Sequence, residues 1–148
     1  MKLLCAVLAL LIAEGVLASE EFSKEGKVTL QKYTVGGDSS AKTVIKLGEK
    51  VTFEINAYIG EFFKKPIIDA NAKIRNTTPV PMHAIYVIRF YDAKNQVVGA
   101  HATSWTLKPN EDINYGSALI RGKEEDFKRV THYSVYTCSY ETVPEAGR

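Results

Sequence analysis

Ile68-Asp69-Ala70-Asn71-Ala72-Lys73-Ile74-Arg75 alternates without a break, apolar at the even positions and polar or charged at the odd ones. Successive side chains of a β-strand point to opposite faces, so this period of two predicts a strand with one face in a core and the other in water. On its C-terminal side Asn76-Thr77-Thr78-Pro79-Val80-Pro81 interrupts the pattern, because proline has no N–H to give to a central ladder. Ala84 to Tyr91 is then apolar on both faces apart from Arg89, which predicts a central strand. Asp92-Ala93-Lys94-Asn95 leads tightly into Gln96-Val97-Val98-Gly99, predicting a hairpin whose second arm continues through Trp105 and Leu107. Lys108-Pro109-Asn110-Glu111 is the next turn, Ile113 to Ile120 the next strand, and Val130 to Tyr140 the last. The charged stretch Arg121 to Lys128 between them has room for one helical turn.

On the N-terminal side, Val28 to Tyr33 reads as a strand ended by Gly36-Gly37-Asp38-Ser39-Ser40, and Thr43 to Lys46 as a short second one. Leu47-Gly48-Glu49-Lys50 turns the chain into Val51 to Tyr58. Gly60 to Pro66 is expected to be a loop inside one domain, since too few residues precede it to bury a core of their own. The sum is an all-β antiparallel sandwich of about seven to eight strands over residues 19–140, with 141–148 a flexible tail.

The start of the chain sets the expected compartment. Met1-Lys2 carries one positive charge, Leu3 to Ile12 is an unbroken apolar run, Glu14-Gly15 breaks it, and Val16-Leu17-Ala18 ends on small or modest side chains. These are the three parts of an export signal, with cleavage expected between Ala18 and Ser19. The run is shorter than the roughly 20 apolar residues a spanning helix needs, so no membrane span is expected after the signal is removed. The protein is thus expected to be secreted or periplasmic. Cleavage would remove Lys2, Glu14 and Cys5 and leave a net charge of +2. That balance lacks the concentrated basic face that nucleic acid demands, so no nucleic-acid partner is expected. Cys138 would then have no internal partner, and the domain would be held by packing alone. Tyr136, Cys138 and Tyr140 share one strand face by parity, expected to be the inward one.

From about Ile68 to Tyr136 the chain resembles the FxLYD domain. The naming motif falls on Ile88-Arg89-Phe90-Tyr91-Asp92, where Tyr91 and Asp92 match and Ile88 and Phe90 stand in place of the family's Phe and Leu. Ala72-Lys73-Ile74-Arg75-Asn76-Thr77-Thr78 is similar to the strand and turn before it. Asn95-Gln96-Val97-Val98-Gly99 is similar to the hairpin after it, and Leu107-Lys108-Pro109-Asn110-Glu111 to the family's Leu-Lys-Pro-Gly-Glu turn. The resemblance implies an immunoglobulin-like β-sandwich of exported and cell-surface bacterial proteins, a module that supports, binds or spaces. The motifs are core positions and turns, so they imply no chemistry. Val135-Tyr136-Thr137-Cys138 also reads like the Tyr-x-Cys of an immunoglobulin F strand, but the partner cysteine of that pattern is missing.

No catalytic site stands out. Nothing has the Gly-x-Ser-x-Gly shape of a nucleophile elbow, and Gly36-Gly37 lacks the following helix and lysine of a phosphate loop. Asp92 and Glu111 sit at turns, where carboxylates bond to local backbone N–H groups. Asn76-Thr77-Thr78 fits a glycosylation sequon, but with the bacterial source that the resemblance implies it is expected to be only a turn. His83, His101 and His132 lack a ligand spacing. The expected function is therefore a non-catalytic binding or structural module with no cofactor and no metal, and a protein or cell-envelope partner of unknown identity. The alternative is a periplasmic copper- or zinc-binding protein using Met82, His83, His101 and His132. If the export reading holds, protein recovered from its host begins at Ser19 or within a residue or two, by intact-mass analysis. A chain that retains Met1 to Ala18 overturns the expected compartment.

Overall fold

The computed structural model describes residues 19–34, 36–114 and 119–142; the expected signal, most of the expected tail and Tyr115 to Ala118 lie outside them. The described residues form strands β1 (Glu20–Lys27), β2 (Thr43–Leu47), β3 (Val51–Phe62), β4 (Lys65–Asn76) and β5 (Met82–Asp92), then β6 (Val97–Leu107), β7 (Asp112–Asn114), β8 (Leu119–Arg121) and β9 (Val130–Glu141). A 3-10 turn spans Ser39–Ala41, and one helical turn, α1, spans Glu124–Phe127. Two antiparallel sheets result. One has the order β1-β9-β5-β6; the other has β2-β3-β4 with β7 and β8 both paired to the far side of β4.

The alternation at residues 68–74 does what its period requires. Ile68, Ala70, Ala72 and Ile74 are at most 2% exposed and join Val51, Phe53, Ile55, Ala57 and Ile59 of β3 on the inner face of the five-stranded sheet. The inner face of the other sheet supplies Met82, Ala84, Tyr86, Ile88 and Phe90 from β5, with Trp105, Leu107, Tyr133 and Val135. Tyr86 links the layers. Its ring stacks on Trp105 and meets Phe53 edge-on, and its hydroxyl donates to the Ala70 carbonyl of the opposite sheet at 3.1 Å. A phenol buried among apolar rings needs such an acceptor, since an unpaired hydroxyl there costs on the order of 1–3 kcal/mol. At one side of the sandwich Gly99 of β6 lies against Ile120 of β8, where a Cβ would come within 2.6 Å of the isoleucine. That close approach requires glycine.

The crossings between sheets are pinned at one side chain. Asn76 is fully buried; its Nδ2 donates to the carbonyls of Val80 (2.8 Å) and Lys108 (2.9 Å), and its Oδ1 accepts from the backbone N–H and the hydroxyl of Thr78. Its backbone N–H donates to Glu111. One amide thereby ties the β4–β5 connection to the β6–β7 connection, and with both donors used and no exposure it offers no glycan acceptor in the folded chain. The turn carboxylates behave as their positions require: Asp92 accepts from the N–H groups of Lys94 and Gln96, and Glu111 from that of Lys108.

The described residues hold nine strands with β7 and β8, which flank undescribed residues, counted separately. Two expectations need correction. Val28 to Tyr33 is not a ladder strand: Val28 and Leu30 are buried, but the backbone bonds first to Thr131 of one sheet and then to Ile59 of the other, because the segment crosses between them. The N-terminal strand is instead β1, whose five charged residues hid it. An edge strand exposes one face and one row of backbone groups, so it needs no apolar alternation, and charge there discourages edge-to-edge pairing. The single strand expected over 113–120 is represented by β7 and β8 on either side of the undescribed residues. Gly60 to Pro66 is not a loop but the paired end of a long hairpin.

Replacing Asn76 with alanine removes the side-chain bonds to the Val80 and Lys108 carbonyls and empties a fully buried position between the two crossovers. The expected loss is about 3 kcal/mol, read as a lower urea midpoint with an unchanged slope. A loss well under 1 kcal/mol would show that the crossovers hold without it.

Candidate functional site

β3 and β4 stay in register for twelve pairs, from Val51 opposite Asn76 to Phe62 opposite Lys65. β2 ends opposite Ala57 and β8 reaches no further than Ile67, so the last pairs extend beyond both neighbouring strands. The turn consists of two residues, Phe63 and Lys64, with φ of 50° and 59°. Two residues in the left-handed region give the turn whose twist matches a hairpin, but such positions ordinarily hold Asn or Gly. Phe63 is 84% exposed and Phe62 38%. Their rings meet edge to face at 4.5 Å, making an aromatic knob at the apex. Glu61, Lys64 and Lys65 around it are exposed.

Behind the apex a polar group sits on the same outer face. Gly60 leaves room for the Tyr58 ring, which lies 3.3 Å from where a Cβ would be. The Tyr58 hydroxyl donates to Asp69 Oδ2 at 2.8 Å, and Asn71 Nδ2 lies 3.5 Å from both that hydroxyl and Asp69 Oδ1. Tyr33, carried in by the crossing segment, meets the Tyr58 ring edge-on at 4.9 Å, and Lys42 Nζ stands 4.1 Å above the Tyr33 ring. Burial, then the hydrogen bond to Asp69 and the charge of that carboxylate, push the Tyr58 phenol far above the ordinary tyrosine range. Tyr58 is thus a fixed donor at neutral pH, not a base. The group fastens Tyr33 and Lys42 over the sheet and supplies no nucleophile.

Further down this face, Lys46, Leu47, Gly48, Thr52, Phe53, Glu54, Lys73 and Arg75 line an open hollow of about 420 Å³. Lys46 pairs with Glu54 at 2.9 Å and Lys73 with Asp112 at 3.5 Å. The lining thus holds three cations, Lys46, Lys73 and Arg75, and one acid, Glu54, and its exposed ion pairs contribute little.

The residues of the metal alternative do not converge. Met82 is fully buried in the core. His83 and His132 lie on the outer face of the four-stranded sheet, opposite Tyr140 and Tyr91 respectively, so roughly 27 Å of β5 separates their rows. His101 pairs with Ile88 on the inner side, its ring 6.0 Å from that of Tyr86. Burial holds His83 and His101 below the usual histidine range. Among the described residues no cluster of three His, Cys, Asp or Glu side chains could hold an ion.

Cys138 corrects the expected orientation of the last strand. It does share a face with Tyr136 and Tyr140, and it is 1% exposed, but Tyr133 and Val135 of the opposite parity enter the core. The thiol is buried on the outer face instead, paired with Ile85 and Glu21 across its two neighbouring strands. An immunoglobulin F-strand cysteine would point inward, so the Tyr-x-Cys likeness is coincidental. Burial, then the charge of Glu21, raises the thiol above its ordinary range.

No family model matches the chain, and no curated protein matches it.

The hairpin apex was missed in the sequence. Its signal is Phe62-Phe63-Lys64-Lys65, an apolar pair where the alternation of β3 calls for a wet residue and the turn calls for Asn or Gly. For Cys138, slow reaction with a thiol reagent is expected in native protein, at a rate set by opening or unfolding. Fast labelling of the native state would show that the outer face of β9 is open.

Proposed function

We propose that the protein is an exported, non-catalytic binding module of the immunoglobulin-like, FxLYD type, secreted or periplasmic, that holds a cell-envelope partner at the aromatic apex of the β3–β4 hairpin. One observation carries the reading. Phe63 is a bulky apolar side chain at φ 50°, 84% exposed, whose ring contact is with Phe62. A left-handed conformation costs a non-glycine residue about 1–2 kcal/mol, and the fold returns little for it there. Strain of this kind collects where function requires it. Support for the fold family comes from the strand pairs: β4 with β7 and β8 in one sheet, β5 with β9 in the other, which parallels the B–E and C–F pairs of an immunoglobulin sandwich. The copper or zinc reading gains no support from four residues that lie apart.

Replacing Phe63 with glycine separates a binding role from a structural one. Glycine accepts φ 50° without strain, so stability is expected to hold or to rise by up to about 1 kcal/mol, while retention in the envelope fraction falls. A loss of more than about 1 kcal/mol in thermal or urea unfolding would make the knob a structural element and defeat the proposal.

A further inference from the structure

We infer that the partner at this apex is an anionic lipid surface, into whose interfacial region Phe62 and Phe63 insert while Lys64, Lys65 and Arg121 face the phosphates; this rests on the binding role assigned to the apex above. The reasoning begins with shape. The apex is a convex knob of two contacting rings beyond the ends of the neighbouring strands, so it is built to enter something rather than to receive it. An aromatic pair of this size suits the zone between headgroups and acyl chains, which an apolar surface element enters to a depth of about 5–10 Å.

Charge supplies the second argument. Phe62 and Lys65 form the last strand pair and lie on the outer face of the five-stranded sheet. Ile67 lies two residues further back on that face, and Arg121 of β8 sits beside it in register. Lys64, Lys65 and Arg121 are exposed and make no ion pair with any described residue. The acid at the apex, Glu61, pairs with Pro66 and has the opposite parity, so it lies on the other face of the hairpin. The nearest acid on the outer face of the two strands is Asp69, which accepts the Tyr58 hydroxyl. One side of the apex is therefore apolar at its end and cationic just behind, the order met on going outward from acyl chains to phosphates. Lysine suits that second layer because its alkyl stem can lie along apolar material while the ammonium reaches water. The net charge of the chain, +2, gave no hint of this, because the effect comes from placement rather than excess. Among the described residues no helix is long and apolar enough to cross a membrane, and the contact inferred here is a peripheral one.

The test uses the protein as its host processes it, sedimented with sucrose-loaded vesicles of mixed phosphatidylcholine and phosphatidylglycerol, and separately of phosphatidylcholine alone. Binding to the mixed vesicles is expected and should weaken as salt is raised. The double change Phe62→Ser with Phe63→Ser should weaken it at least about tenfold, since the rings supply the apolar contact. Lys64→Gln with Lys65→Gln should weaken it about tenfold or more on mixed vesicles and leave binding to phosphatidylcholine alone unchanged. Circular dichroism melts of each variant confirm that the fold is retained. Absence of wild-type binding to the mixed vesicles, or undiminished binding by the double serine variant, overturns the lipid assignment. If envelope retention still depends on Phe63 in that case, the apex serves a protein partner, and the binding role stands without the lipid.

Discussion

The fold turns on how a chain that passes between two sheets satisfies its backbone at the crossings. Asn76 solves this at the end of β4. Its side chain bonds Thr78 and Val80 on the way into β5 and Lys108 on the way out of β6, and its own N–H bonds Glu111. A buried amide without partners costs on the order of 1–3 kcal/mol, so the two connections are fastened by the group whose burial they satisfy. With the crossings fixed, the inner faces of β4 and β5 oppose each other in one register. Tyr86 then reaches the carbonyl of Ala70 across the core.

That register also decides the outside. A shift of one residue along a strand would exchange its faces, so fixing the core face fixes which residues meet water. On the five-stranded sheet the wet face grades from mixed charges around Lys46, Glu54 and Lys73, through the Tyr58–Asp69–Asn71 group, to the phenylalanine apex. On the four-stranded sheet it carries Ile85, Val87, Tyr136 and Tyr140 around a buried Cys138. The first ends in a projecting, strained and cationic element, and that combination directs the functional reading.

Several features were legible in the residues themselves. The strict alternation of 68–74 gave the strand and its buried side, because side-chain parity is a local consequence of backbone geometry. The two-sided apolar run of 84–91 gave a central strand, and β5 indeed lies between β9 and β6. Turn chemistry placed Asp92 and Glu111 on neighbouring N–H groups, an interaction that spans a few residues. β1 was hidden, since a charged edge strand has no pattern of its own and exists only because β9 offers a free side.

The sequence by itself determined the class of fold, the buried side of β4, and the lack of any local catalytic or ligand spacing, all of which rest on contacts between near neighbours. Tertiary structure decided the rest. It placed His83, His101 and His132 apart, and it turned Cys138 outward because Tyr133 and Val135 fill the core. It also brought Arg121 beside the hairpin from more than fifty residues further along the chain. Above all, it turned an expected loop into a twelve-pair hairpin whose end outruns its neighbours and exposes Phe62 and Phe63. Exposure is a property of what surrounds a residue in space, and local sequence does not encode those surroundings.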